Sequence, residues 1–389
     1  MSTDFHTMTE TYLKTADTVI VKVGSALLVD EESGEVRTRW LESLAHDLAL
    51  FHLEGCTPVV VSSGAIALGR HQLGRGQGRL KLEEKQAAAA IGQIRLAKEW
   101  QNAFARFGIG TAQILLSPDD TETRRRHLNA RATIRTLLNQ GIIPVVNEND
   151  TVATMEIRYG DNDRLAARVA QMISADVLVL LSDIDGLYTA DPRQDPSARF
   201  LPEVTRIDDD IAAMAGPAHS SAASGGMITK IAAARIATTA GCHMVICSGT
   251  DNNPINLLKN GGCCTWFRAS ANPPQARKTW IAGGLTPKGR IILDDGAVDA
   301  LRNGKSLLPA GISRVEGDFE RGDLVALTDQ GETEIARGLT HYSAKDVSQI
   351  AGSKSRAIPD ILGYRGRDEV IHADDLVLTY HATREKDVP

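Results

Sequence analysis

The fold is decided by a short apolar stretch, VLVLL at residues 177–181, which the polar sequence SDIDG follows directly. Five uninterrupted apolar residues of this kind are typical of a strand that is buried on both faces of a parallel sheet. Similar short runs recur along the chain, at residues 18–23, 57–61, 111–116, 142–146 and 244–247. We therefore expect several parallel strands in one sheet.

Helical patterns lie between these runs, at residues 39–53, 83–107, 121–139, 165–173 and 227–239. The second pattern is rich in Ala, and Gly92 is expected to break it. Strands that alternate with helices indicate right-handed crossovers, so the pattern predicts an α/β fold with an open, mostly parallel sheet sandwiched by helices.

The domain organisation follows from where this alternation stops. Residues 15–268 carry it, and residues 269–277 contain a Pro- and Asn-rich stretch that predicts a linker. Residues 278–380 have a different pattern, which predicts a small, β-barrel-like domain. Its short strands are expected at residues 279–282, 289–293, 311–316, 324–328 and 334–339, with one helix at 295–303. Residues 1–14 are interpreted as an N-terminal extension and residues 381–389 as a C-terminal tail.

Composition excludes several classes of protein. The 389 residues are 42% hydrophobic and 24% charged, which excludes a disordered chain and a collagen-like repeat. The formal net charge is −6 and only 4% of residues are aromatic, so a protein that mainly grips nucleic acid is not favoured. Residues 278–389 contain 15 Lys and Arg against 18 Asp and Glu, a net charge of −3.

The cysteines and the N-terminus indicate the cellular compartment of the protein. The five cysteines show no zinc-ligand spacing, and their number is odd, so we expect reduced thiols. The polar N-terminus lacks the apolar core of a signal peptide, and no apolar run is long enough to cross a membrane. The sequence therefore predicts a soluble cytoplasmic protein with no membrane partner.

Two candidate anion sites follow the first two predicted strands. In open α/β sheets ligands bind at the carboxyl ends of the strands, so these positions carry the functional information. Gly24 lets backbone N–H groups approach a phosphate, and Lys22 adds a positive charge. Ser63 and Gly64 precede a helix whose free N–H groups suit a phosphate or a carboxylate. Alone, the first motif is more often an ordinary glycine turn, and the second is as often a simple N-cap.

Polar and acidic residues follow the strand at residues 142–146. The next five residues, NENDT at 147–151, offer donors and acceptors that can hold an ammonium and a carboxylate at once; the alternative, a solvated loop, is less favoured. Asp161 and Asp163 come shortly afterwards, at the start of a helix. They cap that helix, hold Mg²⁺ or position phosphate-binding lysines.

Two further motifs suit a nucleotide. Residues 182–192 either surround an adenine and ribose with backbone amides or form a simple β-turn. Gly225 and Gly226 open a helix and present N–H groups to an anion, with Lys230 about one turn further on; the alternative is a flexible loop and a solvent-facing lysine. Together the motifs place two lysines beside anion sites with acidic and amide residues between them, as phosphoryl transfer requires.

These motifs, in this order, resemble those of the amino-acid kinases. The matching stretches are KVGS at 22–25, SGA at 63–65, NEND at 147–150, GDND at 160–163, GLYTADP at 186–192 and GGMITK at 225–230. Residues 278–380 resemble a PUA domain, most clearly in GKSLLPAGI at 304–312. The resemblance implies an amino-acid kinase fold followed by a PUA domain.

Within that family the sequence is similar to the members that use ATP to phosphorylate the side-chain carboxylate of L-glutamate, the first step of proline biosynthesis. The resemblance implies that Lys22 and Lys230 stabilise charge on the transferring phosphoryl group and that Asp163 orients them. Glutamate would be held by Ser63, Asp150 and Asn162, with Asp150 facing its ammonium. The ATP site would comprise Lys22, Gly24, Ser25, Ser182, Asp183, Ser224, Gly225, Gly226, Met227, Ile228, Thr229 and Lys230.

The resemblance also implies cofactors and partners. ATP and Mg²⁺ would be required, and Asp161 or Asp163 is a candidate metal ligand. L-proline would inhibit by feedback at or near the glutamate site, within residues 147–154. The family further implies a homo-oligomer, a dimer or a tetramer. A carboxylate acceptor is already ionised at pH 7, so no general base is expected.

Three alternatives remain at this stage. Another enzyme of the same fold, such as acetylglutamate, aspartate or uridylate kinase, would lack the NEND motif combined with a C-terminal PUA domain. An RNA-binding protein acting through the PUA domain is disfavoured by the charge of −3 on that segment. A regulatory module without catalysis is disfavoured by the presence of both lysines and Asp163.

Overall fold

A computed structural model describes residues 2–74, 78, 80–152, 162–215, 226–283 and 286–379. The chain divides into two compact units, Met1–Pro273 and Pro274–Pro389. Among the described residues no helix is both long and apolar enough to cross a membrane. All five cysteines are free thiols, as the sequence predicts.

The first unit is built on an eight-stranded sheet. Its strands and those of a small hairpin are β1 Thr18–Val23, β2 Thr57–Ser62, β3 Thr111–Leu116, β4 Ile143–Glu148, β5 Val177–Ser182, β6 Leu187–Tyr188, β7 Phe200–Leu201, β8 Glu203–Val204, β9 His243–Ser248 and β10 Cys264–Phe267. The order across the sheet is β3-β4-β2-β1-β5-β9-β10-β8, and β6 pairs with β7 alone. Only β9 and β10 run antiparallel; the other neighbours are parallel. The predicted open, mostly parallel sheet is confirmed.

Helices cover both faces of this sheet. They are α1 Ser2–Lys14, α2 Ser25–Leu28, α3 Thr38–Leu53, α4 Ala65–Gln72, α5 Leu82–Ala105, α6 Pro118–Glu122, α7 Arg124–Asn139, α8 Asn162–Ile173, α9 Asp209–Ala213, α10 Met227–Thr239 and α11 Pro254–Lys259. The alternation of side chains along β1 separates two cores. Val19 and Val21 pack into the core formed with α3 and α5, whereas Ile20 packs into the core formed with α8 and α10.

Strand register brings the candidate site together. Val23 of β1 pairs with Ser62 at the end of β2 and with Leu181 near the end of β5. Val61 of β2 pairs in turn with Val146 of β4. The loops that follow β1, β2, β4 and β5 therefore leave the sheet at one edge, as parallel strands require.

The N-terminal residues form a packed helix rather than a loose extension of the chain. On α1, Thr9 and Leu13 are buried. The indole Nε1 of Trp266 donates a hydrogen bond to Thr9 Oγ1 at 3.1 Å, and Tyr12 stacks on His243 with ring centroids 4.1 Å apart. This helix therefore contributes to the core of the first unit.

The second unit contains a five-stranded sheet. Its elements are α12 Pro273–Gly283, β11 Gly289–Leu293, α13 Asp295–Arg302, β12 Ile312–Gly317, β13 Leu324–Thr328, β14 Glu334–Leu339, α14 Ala344–Ile350, α15 Ile358–Leu362 and β15 Leu376–Leu378. The strand order is β12-β11-β13-β14-β15, and only β11 and β13 are parallel neighbours. Apolar side chains of this sheet, α13 and α14 form a separate core.

The strand predicted at residues 279–282 is wrong, because these residues belong to α12. Two prolines at the start of a helix need no intrahelical N–H bond there and have a suitable φ, so PP at 273–274 begins the helix. Arg277 then donates from Nε to Asp375 Oδ1 at 3.0 Å, and both side chains are nearly buried. This ion pair fixes α12 against a turn of the second unit.

Two helix predictions also need correction. The helix predicted over residues 121–139 is two helices, α6 and α7, because the chain leaves the helical conformation at Thr123 with ψ of 115°. The break expected at Gly92 is absent, and α5 continues through this residue. Gly92 serves close packing instead, since a Cβ there would lie 1.8 Å from the carbonyl oxygen of Ala65 on α4. A Cβ at Gly69 would likewise lie 1.8 Å from the carbonyl oxygen of Ala88.

This contact makes Gly92→Ala a test of the helix pair. We expect the free energy of unfolding to fall by about 3 kcal/mol in urea denaturation, because the added methyl group forces α4 and α5 apart. Gly110→Ala is the matched control, since a Cβ at Gly110 would make only an ordinary contact of 3.6 Å with Ile142. Equal stability of the two variants would contradict the backbone contact.

Candidate active site

A buried carboxylate between two ammonium groups forms the centre of the site. Lys22 lies on β1 two residues beyond Ile20, so it shares the sheet face that α8 and α10 cover. Asp163 lies in the first turn of α8, and Lys230 lies in the first turns of α10. Lys22 Nζ is 2.5 Å from Asp163 Oδ1, and Lys230 Nζ is 3.3 Å from Asp163 Oδ2. The predicted catalytic trio, here called the lysine–aspartate triad, therefore meets at one point.

The triad is buried, so its charges are poorly screened and their electrostatic interactions are strong. Asp163 is fully buried, and the two lysines expose less than a tenth of their side chains. The hydroxyl of Thr229 also donates to Asp163 Oδ2 at 3.1 Å. One carboxylate against two ammonium groups leaves a formal charge of +1 in a poorly solvated place. Such a place favours an anion that carries several charges, as a transferring phosphoryl group does.

Backbone N–H groups border the triad. Gly24 precedes α2, and a Cβ at this position would lie 3.9 Å from Lys22 Nζ. Gly226 is the N-cap residue of α10, and a Cβ there would meet no heavy atom of the described part of the chain within 4 Å. The free N–H groups at the N-terminus of a helix are suited to an anion. The two glycines lie beside Lys22 and Lys230 respectively, as the sequence predicts.

A chain of hydrogen-bonded amides lies next to the triad. Asn162 on α8 donates from Nδ2 to Ser63 Oγ at 2.6 Å and to Asn147 Oδ1 at 3.0 Å. Asn147, at the end of β4, donates from its own Nδ2 to Gln93 Oε1 at 2.8 Å. Gln93 is a buried residue of α5. The predicted substrate residues Ser63 and Asn162 are thus hydrogen-bonded to each other.

Asp150 is the third predicted substrate residue. It lies two residues beyond β4 and is half-buried. Desolvation by burial raises the pKa of Asp150 to about 6, and within the described residues no cation opposes this shift. A carboxylate in this condition gains free energy when a positive group binds next to it. That property is what recognition of an amino-acid ammonium requires.

The loop after β2 is fixed from behind. Ser62 is buried, and its hydroxyl accepts a hydrogen bond from Trp100 Nε1 at 2.9 Å while donating to the Ser63 carbonyl at 3.0 Å. Gly64 has φ of +119°, a conformation that favours glycine, and it begins α4. These contacts hold Ser63 in place against Asn162.

The predicted nucleotide residues are only partly described. Ser182, at the end of β5, donates to Asp183 Oδ1 at 3.1 Å, and Asp183 is exposed. Ser25 begins α2 and is exposed, and Met227 is half-buried in the core beneath α10. Ile228 is exposed and lines a cavity of about 520 Å³ with residues of α8, α9 and α10. Asp161, Ser224 and Gly225 lie outside the described residues.

Two residues of the site, Gln93 and Trp100, were not predicted, and neither was the hydrogen bond between Asn147 and Gln93. Gln93 lies on the buried stripe of α5 that includes Ala89, Leu96 and Trp100. A single polar residue on an apolar stripe indicates a buried hydrogen bond. That pattern could have identified Gln93 from the sequence, although its partner could not be read there.

Comparisons with known proteins show the family of the chain. Residues 17–248 match the model of the amino acid kinase family, and residues 289–362 match that of the PUA domain. The chain therefore belongs to the amino acid kinase family, with a PUA domain after the kinase region.

Close relatives define a narrower group. A glutamate 5-kinase of Bradyrhizobium sp. strain BTAi1 is 60% identical over 360 residues, which cover 92% of this chain and 95% of that protein. A glutamate 5-kinase of Paramagnetospirillum magneticum is 58% identical over 366 residues, which cover 94% and 99%. Among solved structures, carbamate kinase from Giardia lamblia bound to AMP-PNP is 18% identical with a TM-score of 0.47, covering 65% of this chain and 99% of that one.

Proposed function

We infer that this chain transfers the γ-phosphoryl group of ATP to the side-chain carboxylate of L-glutamate. The products are ADP and L-glutamyl 5-phosphate, and the reaction is the first step of proline biosynthesis. The observation that carries the inference is the lysine–aspartate triad next to the hydrogen-bonded pair Asn162 and Ser63. The identity of 57–60% to glutamate 5-kinases over most of the chain supports it.

The triad accounts for the chemistry. A side-chain carboxylate oxygen of glutamate attacks the γ-phosphorus in line with the bond to ADP; the new O–P bond forms as the bond to the ADP oxygen breaks. The nucleophile is already ionised at pH 7, so no proton has to be removed. Lys22 and Lys230 stabilise the charge that spreads over the transferring oxygens. Asp163 holds both ammonium groups at the position where that charge develops.

The amide cluster accounts for glutamate binding. The Asn162 amide gives both of its hydrogens to Ser63 and Asn147, so its Oδ1 remains an acceptor. Ser63 Oγ accepts from Asn162, so its own hydrogen can be donated to a carboxylate. Asp150 supplies a negative charge for the ammonium. These three residues thus offer an acceptor, a donor and an anion to an amino acid.

The residues around the triad suit Mg²⁺ that arrives with the nucleotide. Within the described residues no group of three or more His, Cys, Asp or Glu could hold a metal ion. Asp163 already contacts both lysines, so its role is to orient them. Mg²⁺ is commonly held through substrate phosphates and only one or two carboxylates, and when bound it would neutralise phosphate charge. The ATP phosphates would be its main ligands here.

The nucleotide is proposed to bind across the ends of β1 and β5 and the start of α10. Gly24 and Gly226 would let backbone N–H groups contact its phosphates. Ser182 and Asp183 follow β5, whose neighbour β1 carries Lys22. Ser25, Met227, Ile228 and Thr229 complete the proposed set, together with Ser224 and Gly225.

The function is tested by ADP release with ATP, Mg²⁺ and L-glutamate, with hydroxylamine present to trap the acyl phosphate as a hydroxamate. L-aspartate, N-acetylglutamate and UMP are assayed in parallel. Hydroxamate that appears with glutamate alone supports the proposal. Turnover of another acceptor at a higher rate would assign the chain to a different reaction within the same fold, and no turnover by folded protein would refute a kinase role.

The pKa of Asp150 predicts how glutamate binding depends on pH. The carboxylate must be ionised to pair with the ammonium, and its pKa in the free protein is about 6. We therefore expect kcat/KM for glutamate to be level above pH 7 and to fall roughly tenfold per unit below pH 6. Asp150→Asn should have a much lower kcat/KM and should lose this dependence on pH. A wild-type profile that is level down to pH 5 would contradict the assignment.

Regulation, assembly and location are further parts of the proposal. L-proline shares the ammonium and α-carboxylate of glutamate, so Asp150 and Ser63 could bind it and it would compete with the substrate. Unchanged activity at millimolar L-proline would count against this inhibition.

We also propose a homo-oligomer, a dimer or a tetramer, testable by light scattering. We propose a cytoplasmic location, because free thiols such as that of the exposed Cys263 are typical of the reducing cytoplasm.

A further inference from the structure

We propose that Gln93 is a positioning residue that sets the direction of hydrogen bonding in the glutamate site and so determines the recognition of the substrate ammonium. Gln93 does not belong to the motifs that follow the strand ends. It lies on α5, behind the site, and acts through Asn147. This inference rests on the proposed function, because it concerns how the same site binds glutamate.

The first step is the burial of Gln93. It is 9% exposed, and its neighbours on the same stripe of α5, Leu96 and Trp100, are fully buried. A buried amide is costly unless it is hydrogen-bonded, and Gln93 Oε1 accepts from Asn147 Nδ2 at 2.8 Å. Asn147 is only 2% exposed. The Gln93–Asn147 bond is therefore shielded from water.

The second step is the order of donors and acceptors. Because Asn147 uses Nδ2 toward Gln93, it presents Oδ1 to Asn162. Asn162 must then present Nδ2, and this amide also donates to Ser63 Oγ. If the Asn147 amide alone were reversed, two oxygens would face each other at Gln93 and two NH₂ groups at Asn162. With its oxygen toward Asn147, Gln93 thus fixes the orientation of both asparagine amides.

The third step is the consequence for the ligand. With both Asn162 hydrogens in use, no described residue donates to its Oδ1, which stays an acceptor beside the substrate site. Ser63 Oγ, which accepts from Asn162, stays a donor. An ammonium needs the acceptor and a carboxylate needs the donor. Reversal of all three amides would make Asn162 a donor and Ser63 an acceptor toward the ligand. The site would then disfavour an α-amino acid.

The position of α5 supports this role. Residue 92, next to Gln93, contacts α4, which begins directly after Ser63 and Gly64. Trp100, two turns further along α5, donates to Ser62. The same helix therefore holds both the serine side and the asparagine side of the glutamate site, with Gln93 between these two contacts.

The test measures KM for L-glutamate, KM for ATP and kcat in full-length Gln93→Met. Methionine has a similar shape and no amide. We expect KM for glutamate to rise about tenfold, which corresponds to the loss of one buried hydrogen bond, while KM for ATP and kcat change less than threefold. Inhibition by glutarate, which lacks the amino group, should weaken less than glutamate binding does.

Two further variants make the result specific. Gln93→Glu keeps an acceptor oxygen and should restore KM for glutamate to within about threefold of the wild type. Gln101→Met changes the same residue type at an exposed position of α5 and should have no effect. If Gln93→Met is not obtained folded, Gln93→Asn, which withdraws the oxygen by one methylene, is expected to raise KM for glutamate in the same way.

The outcomes separate the two proposals. An active wild type in which Gln93→Met leaves KM for glutamate unchanged overturns the positioning role alone. The positioning role is also overturned if Gln93→Met changes kcat and both KM values together and Gln93→Glu does not restore them, because that result indicates general disruption of the site. A folded wild type without glutamate-dependent activity overturns the proposed function and this inference together.

Discussion

Lys230→Ala is expected to lower kcat about a thousandfold while the protein stays folded. Lys230 Nζ is 3.3 Å from Asp163 Oδ2, and the side chain is nearly buried. Removal of one hydrogen-bond donor that stabilises charge in a transition state lowers kcat about 10²- to 10³-fold. Removal of a full positive charge next to the transferring phosphoryl group lowers kcat by more. A thousandfold loss corresponds to about 4 kcal/mol of transition-state stabilisation.

The measurement is steady-state ADP release with saturating glutamate and ATP. Lys98→Ala is the matched control, because Lys98 is an exposed residue of α5, and it should keep full activity. Lys230→Arg retains the charge with a larger, planar group and should recover only a small part of the rate. A Lys230→Ala enzyme with more than a tenth of wild-type kcat would remove this lysine from the chemistry.

Asp163→Asn is expected to lower the free energy of unfolding by about 3–5 kcal/mol and kcat by at least a hundredfold. The carboxylate is fully buried between Lys22 and Lys230. An amide has a similar shape but no charge, so two ammonium groups would remain in a poorly solvated place without their counter-ion. The lysines would then repel each other and leave the positions that phosphoryl transfer requires.

The stability change is measured by urea denaturation followed by circular dichroism at pH 7. Asp251→Asn, at an exposed position, is the control and should unfold as the wild type does. Saturating ATP should restore part of the lost stability in Asp163→Asn, because its phosphates supply negative charge to the same lysines. A variant as stable as the control would show that the triad is not held together by its central charge.

The parallel strands β1 to β5 and β9 were predicted well because local sequence determines them. The runs that became β1, β3 and β5 are apolar, short and bounded by polar or turn-forming residues, so their limits differ from the observed ones by one residue at most. The order of motifs along the chain placed the two lysines and Asp163 in one site for the same reason. Parallel strands bring the residues that follow them to one edge regardless of how far apart they are in sequence.

The errors arose where distant contacts outweigh local preference. The sequence TWIA at 279–282 favours a strand by composition, but the Pro-Pro start and the Arg277–Asp375 ion pair make it helical. Gly92 weakens a helix locally, yet the approach of α4 requires it. Gln93 and Asn147 are 54 residues apart, so no local pattern could have paired them.

The backbone contact between α4 and α5 has a mechanical consequence. Helices that touch through glycine, at Gly69 and Gly92, have no flexible side chains between them to absorb relative motion. We therefore expect them to move as one body and to exchange their amide hydrogens with solvent in one cooperative step. Ser63 directly precedes this body and Gln93 is part of it. A shift of this body on substrate binding would move the helix pair as a whole, so the geometry among Gln93, Asn147 and Ser63 depends on where that pair lies relative to β4.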